Sequence, residues 1–218
     1  MGDLLLIRHG ETEWSRSGQH TSYTDLPLTA RGMRQAAALR PLLRRRSIAR
    51  VLVSPMTRAV HTAELAGLDR AETDPDLVEW NYGGYEGITT VEIRRQRPDW
   101  YLWTHGVAPG DGEQPGETPE QVGARADRVL ARVDATLRDR GAGDVVLVAH
   151  SHVLRTVAAR RLGLPPFAGS LFRLDTAAVS TFGTEHGRWV VTAWNTQAAP
   201  PHAAGDTELL PSLLGAAT

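Results

Sequence analysis

Three apolar runs in this chain each end on a side chain that can bind or attack phosphorus. Leu4-Leu5-Leu6-Ile7 leads into Arg8-His9-Gly10, Val51-Leu52-Val53 into Ser54-Pro55 with Arg58 in the helix that follows, and Val145 to Ala149 into His150. Read as parallel strands, these runs bring two arginines and two histidines to one edge, because ligands of open α/β sheets bind at the carboxyl ends of strands. Guanidinium forks and imidazole donors around one point make an oxyanion pocket able to hold a phosphoryl group. Gly10 is expected to let the backbone approach that anion. Singly, each piece has a plainer reading: Arg8-His9-Gly10 as the start of a helix with an incidental histidine, Arg58 as a solvated helix residue, His150 as a satisfied histidine near the core. Their joint occurrence at three strand ends favours the pocket.

Such an edge requires an α/β frame, and the hydrophobic periodicity supplies one. Strands are expected over 4–7, 51–53 and 144–149, with helices over 29–46 (capped by Thr29), from Pro55 to about Gly67, over 118–140 and over 152–162. Alternating strands and helices favour a parallel sheet, which two β-rich segments at 178–182 and 189–194 would complete. Residues 82–117, rich in Gly, Trp, Tyr and Pro, are too long for a plain connection and read as a lid or cap. One domain is expected over 1–197, with 198–218 a loosely attached tail in which 209–214 is a candidate docking segment.

Composition narrows the partners. The chain has 218 residues, 41% of them apolar, which suits one domain with a full core. Its 24 basic residues, all arginine, nearly balance 25 acidic ones, so no global field draws it to nucleic acid or anionic lipid. Without lysine there is no Schiff base, and without cysteine no disulfide, thiol catalysis or thiolate metal site. No stretch is long and apolar enough to span a membrane, and no basic segment followed by an apolar run opens the chain, so a cytoplasmic protein is expected. His9, His150 and His152 could be imagined as a zinc site, but Arg8 and Arg58 beside them would repel a dication.

Further motifs follow in order: Arg8-His9-Gly10-Glu11-Thr12-Glu13-Trp14, Thr24-Asp25-Leu26-Pro27-Leu28-Thr29, Ser54-Pro55-Met56-Thr57-Arg58-Ala59, Glu79 ahead of Tyr82-Gly83-Gly84-Tyr85-Glu86-Gly87, and Val148-Ala149-His150. Over residues 8–150 the chain resembles the histidine phosphatase superfamily, also called phosphoglycerate-mutase-like. The resemblance implies a three-layer α/β/α sandwich with a mostly parallel central sheet and a small cap insertion. It implies that His9 is the phosphorylated nucleophile, that Arg8, Arg58 and His150 hold the phosphoryl oxygens, and that Glu79 is the proton donor. Glu11, Glu13 and Glu86 lie close by in sequence, and only motif position ranks Glu79 above them.

Within the family, Ser15 after Trp14 and Ser151-His152 after His150 are similar to the phosphatase branch, which includes a sugar bisphosphatase and several acid phosphatases; the mutases carry Asn and Gly-Asn there. Ser15, Gln19, His20, Thr21, Tyr82, Ser151 and His152 join Arg8, Arg58 and Glu79 as candidate substrate-binding residues. The expected partner is a small phosphate ester, a sugar phosphate or bisphosphate, with no metal, no cofactor, no nucleic acid and no membrane; a homodimer is left open. Two alternatives stand beside this: a mutase-type phosphotransferase, and a non-catalytic phospho-ligand-binding relative, which would be expected to lose His9, Arg58, Glu79 or His150. Trp80, Tyr82, Tyr85, Trp100, Tyr101, Trp103 and His105 crowd the cap, where rings suit a sugar or pack the cap down. Arg94, Arg95 and Arg97 are either a second anion site or a solvated helix face.

Overall fold

The computed structural model describes residues 2–110, 115–139, 141 and 143–198. Six strands form one sheet: β1 (Leu4–Arg8), β2 (Ile48–Val53), β3 (Ala71–Thr73), β4 (Asp144–Ala149), β5 (Ala178–Glu185) and β6 (Arg188–Gln197), in the order β3-β2-β4-β1-β5-β6. The first four are parallel, and β5 and β6 return as an antiparallel hairpin against β1. The short edge strand β3 was not visible in the periodicity, since Ala-Glu-Thr carries no apolar run.

The central strands are apolar on both faces, as a covered parallel sheet demands. Leu4, Leu6, Leu52, Val145 and Leu147 face one core with α7 (Pro119–Leu137) and α8 (Ser151–Arg161), while Leu5, Ile7, Val51, Val53, Val146 and Val148 face the other with α4 (Thr57–Leu65). That is the three-layer α/β/α arrangement. Val122, Ala126, Val129, Val133 and Leu137 form the buried stripe of α7, close to the expected helix over 118–140.

The expected helix over 29–46 is corrected. Thr29 does cap it, accepting from Gly32 N at 3.0 Å, but the helix divides into α2 (Ala30–Ala38) and α3 (Arg40–Leu43). Pro41 lies in the first turn of α3, where its missing N–H costs nothing, whereas an unbroken helix would need that donor. Within the segment read as a cap, residues 82–110 carry short helices, α5 (Thr90–Gln96) and α6 (Leu102–His105), tied down by buried Trp80, Trp100 and Trp103. The expected tail from 199 onward, including 209–214, lies outside the described residues.

Candidate active site

Ladder pairing aligns the strand ends. Arg8 pairs with Ala149 and Val53 with Val148, so His9, Ser54 and His150 leave the sheet side by side. His9 N donates to Ala149 O and Ser54 N to Val148 O, both at 2.9 Å. Ala177, in the left-handed region at φ 53, donates its N–H to Arg8 O and His9 O and pins the end of β1 from the other side.

The His9 ring is oriented by its neighbour. Its Nδ1 lies 2.7 Å from Gly10 O, an acceptor only, so Nδ1 carries the hydrogen and Nε2 the lone pair. Burial, reinforced by Arg58 and Arg8, holds the His9 pKa well below the usual imidazole range, and the ring stays neutral. The His150 ring stands edge-on at 5.1 Å; its Nδ1 accepts from Arg58 Nε at 3.2 Å and its Nε2–H donates to Ser54 Oγ at 2.7 Å. Arg58 is fully buried, with its remaining nitrogens on Thr24 O and Ser22 O, so the solvated-helix reading of this residue is overturned. Arg8 donates one nitrogen to Leu174 O at 2.7 Å, while its buried Nε has no partner among the described residues. Gly10 does not serve an anion. Its N–H goes to Thr62 Oγ1, and a Cβ there would stand 2.4 Å from Gly32 O, so the glycine is needed for close approach of α2.

Of the four carboxylates considered, Glu79 alone lines the cavity. Its Oε1 accepts from Trp80 N and Val153 N, and its Oε2 from His152 N alone. It thereby caps α8 from a distance, replacing the side-chain cap that His150 does not provide. Glu86 is spent on Ser22 and Thr24, Glu11 on the Thr29 hydroxyl, and Glu13 on Arg16 at the surface. The loop bearing Glu79 is itself clamped by Arg125 of α7, which donates to Asp76 O, Val78 O and Glu79 O and pairs with Glu117 at 2.7 Å. Glu117 closes the clamp by accepting from Asn81 N.

A cavity of about 510 Å³ opens above His9. Arg8, Ser15, Gln19, His20, Thr21, Glu79, Tyr82, Ser151 and His152 line it together with His9; Arg58 and His150 stand behind. Several of these polar groups are already engaged: Ser15 Oγ in the capping box that Thr12 forms at the start of α1 (Glu13–Ser17), Gln19 Nε2 on Gly87 O, and Thr21 Oγ1 on Gln19 O. Tyr82 Oη lies 2.6 Å from His152 Nδ1; burial pushes the phenol well above its ordinary pKa, so Tyr82 donates and His152 accepts. Burial likewise pulls His152 well below the imidazole range.

For the cap rings and the arginine run, both left with two readings, the structure favours packing and a face away from the cavity. Of the cap's aromatic group, Tyr82 alone reaches the cavity; Trp80, Trp100 and Trp103 pack it against the core. The run at Arg94, Arg95 and Arg97 does not face the cavity, and Arg94 Nε donates to Trp100 O while Arg97 donates to Tyr85 Oη. Among the wall residues that sequence reasoning missed are the charged ones, Arg155, Arg173 and Asp175. Arg155 had a signal, since it follows Ser151 by one helical turn and shares its face. Asp175 had none, because only the return of the chain to β5 brings it there. Among the described residues no group of three His, Cys, Asp or Glu side chains is arranged to hold a metal, and no helix is long and apolar enough to cross a membrane.

The model of the histidine phosphatase superfamily (branch 1) matches residues 4–197. The chain belongs to that superfamily. It is 42% identical to an acid phosphatase of Mycobacterium tuberculosis over 84% of this chain and 87% of the relative. It is 36% identical to the sedoheptulose 1,7-bisphosphatase of Saccharomyces cerevisiae over 73% of this chain and 67% of the relative. A solved Mycobacterium tuberculosis structure superposes with a TM-score of 0.81 at 39% identity, covering 91% of this chain and 99% of that one. This superfamily member is an enzyme acting on phosphorylated substrates, and its sheet is that of its solved relatives.

Proposed function

We propose that this enzyme is a metal-independent phosphomonoesterase that hydrolyses a small phosphorylated metabolite, a sugar phosphate or bisphosphate, through a phosphohistidine on His9. The observation that carries the reading is the His9 ring: its Nδ1–H is tied to Gly10 O, leaving an unprotonated Nε2 as nucleophile beside the cavity. Nε2 attacks phosphorus in line as the bond to the leaving oxygen breaks, and charge on the equatorial oxygens meets Arg8 and the Arg58–His150 pair. The present acceptors of those donors are carbonyls and the Ser54 hydroxyl, weaker partners than a phosphoryl oxyanion. Glu79 gives a proton to the leaving alkoxide and then takes one from the water that opens the N–P bond, releasing inorganic phosphate. The names of the similar acid phosphatase and sugar bisphosphatase support hydrolysis of such esters.

The mutase alternative is less favoured, since Ser15, Ser151 and His152 line the cavity where mutases are expected to carry other residues. With 3-phosphoglycerate and a trace of 2,3-bisphosphoglycerate, phosphate release or no reaction is expected; efficient isomerisation to 2-phosphoglycerate would reverse the assignment. The intermediate is tested by rapid quench with a ³²P-labelled substrate. An acid-labile, alkali-stable phosphoprotein mapping to His9 is expected, unaffected by EDTA and suppressed by vanadate. Label on another residue, or activity lost on chelation and restored by a divalent ion, overturns the proposal.

A further inference from the structure

Residues 22–24 form an irregular loop outside the sheet ladders, yet this loop supplies both carbonyls that hold the Arg58 fork. Nη2 donates to Ser22 O at 2.8 Å and Nη1 to Thr24 O at 3.0 Å, while Nε is taken by His150 Nδ1. A carbonyl orients a guanidinium only as well as its own backbone is fixed. The amides of the same two residues turn the other way, onto the carboxylate of Glu86. Ser22 N donates to both Glu86 oxygens at 2.9 Å, the Ser22 hydroxyl to Oε2 at 2.7 Å, and Thr24 N to Oε1 at 3.1 Å.

The loop is anchored at both ends as well. On one side, Gly87 N donates to His20 O at 2.8 Å and His20 N to Ile88 O at 3.1 Å. On the other, Asp25 accepts from the amide and hydroxyl of Thr57, at the start of the helix that carries Arg58, and stands 3.8 Å from Arg58 Nη1. Between these anchors, Glu86 is the group that gathers the free amides. It is absent from the cavity lining, so it does not touch substrate. Burial draws the Arg58 pKa below the ordinary arginine value, and Glu79, Asp25 and Glu86 oppose that shift by their charge.

We propose that Glu86 is a positioning residue for phosphoryl transfer: it fixes the loop over 22–24, whose carbonyls set the Arg58 fork that meets the phosphoryl oxygens at His9. This rests on the phosphatase reading above. A residue 64 positions further along the chain from Ser22 thereby acts on the floor of the cavity without entering it.

The test measures vanadate affinity, together with kcat for p-nitrophenyl phosphate and for glycerol 3-phosphate. Vanadate reads the oxyanion site without a leaving group. In Glu86→Ala, vanadate should bind at least about tenfold more weakly and kcat should fall by a similar factor on both esters, because Arg58 meets oxygens that every ester shares. Glu86→Gln, which keeps one acceptor oxygen, should recover part of both losses, and it carries the comparison if the denaturant midpoint shows that Glu86→Ala does not fold. Glu92→Ala, a change at a carboxylate that serves Thr89 at the start of α5, should leave both quantities unchanged. Wild-type vanadate affinity in the folded Glu86 variants overturns the proposal while leaving hydrolysis intact. So does a loss confined to glycerol 3-phosphate, which would mark displacement of Glu79 instead. Absence of phosphate release by the wild type from either ester overturns the phosphatase reading with it.

Discussion

The floor of the cavity and its wall are built on opposite terms. At the floor, Arg58 and His150 are buried and every polar nitrogen is engaged, with Arg58 bonded to His150, Thr24 and Ser22, and His150 to Arg58 and Ser54. The wall is made from the start of α8, the turn over 166–171 and the loop into β5, and there Arg155 and His20 keep donors or lone pairs unspent among the described residues. A floor fixed by parallel ladders suits chemistry on a group common to all esters. A wall whose side chains keep donors or lone pairs unspent suits selection among them.

The sharpest way to break that comparison is His9→Ala. Activity should fall below about 1% of wild type on every ester, with the denaturant midpoint little changed, because the proposed mechanism uses the ring as nucleophile and not as a support. Substantial residual turnover would move the chemistry off the floor.

Next in size is Glu79→Gln. Rapid-quench measurement should show phosphohistidine formation from an alkyl phosphate slowed at least about 100-fold, but formation from p-nitrophenyl phosphate slowed much less, since nitrophenolate leaves without a proton. Steady-state rates are a poor guide, because loss of the base for water lets the phosphohistidine accumulate. Equal losses on both substrates would remove Glu79 from the acid role.

Arg125→Leu probes how α7 steadies the loop that carries Glu79. With the carbonyls of Asp76 and Val78 and the Glu117 carboxylate released, a stability loss of about 2–4 kcal/mol is expected in denaturant titration. The leaving-group dependence of kcat should steepen as Glu79 loosens, with KM less affected; an unchanged dependence would make Arg125 structural only.

Acid sensitivity follows from the buried histidines. His9, His150 and His152 all have pKa values depressed by burial, so the unfolded chain binds more protons than the folded one below the ordinary value of 6.5. Their contribution is complete above that pH and is lost as pH falls towards the folded-state values, at up to about 1.4 kcal/mol per pH unit for each ring. Denaturant midpoints measured from pH 7.5 to 5.0 should fall, and a flat profile would contradict the burial. The smallest effect is expected from Arg97→Gln, a surface change within about 0.5 kcal/mol that leaves turnover intact.

The chemistry-bearing edge is legible in the chain itself, because a strand covered on both faces is a short continuous apolar run and the residue after each run is the one that leaves the sheet. Local signals also suffice for Thr29, whose hydroxyl caps its own helix three residues on. They fail where the decisive partner is distant in the chain. Glu79 ranks above Glu11, Glu13 and Glu86 only by motif position, since its amide donors come from α8. The arginine run at 94–97 is a candidate anion site by composition, yet α5 points it away, and Arg155 takes the wall position.

Residue types and strand pattern alone thus determined which groups meet at the sheet edge, because backbone sterics and burial impose that order locally. Only the tertiary structure decided which nitrogen of His9 is free, which glutamate lines the cavity with it and which arginine of the wall has no carboxylate partner among the described residues. Each of those depends on a hydrogen bond or a desolvated contact between segments far apart in sequence, and no local propensity encodes such pairings.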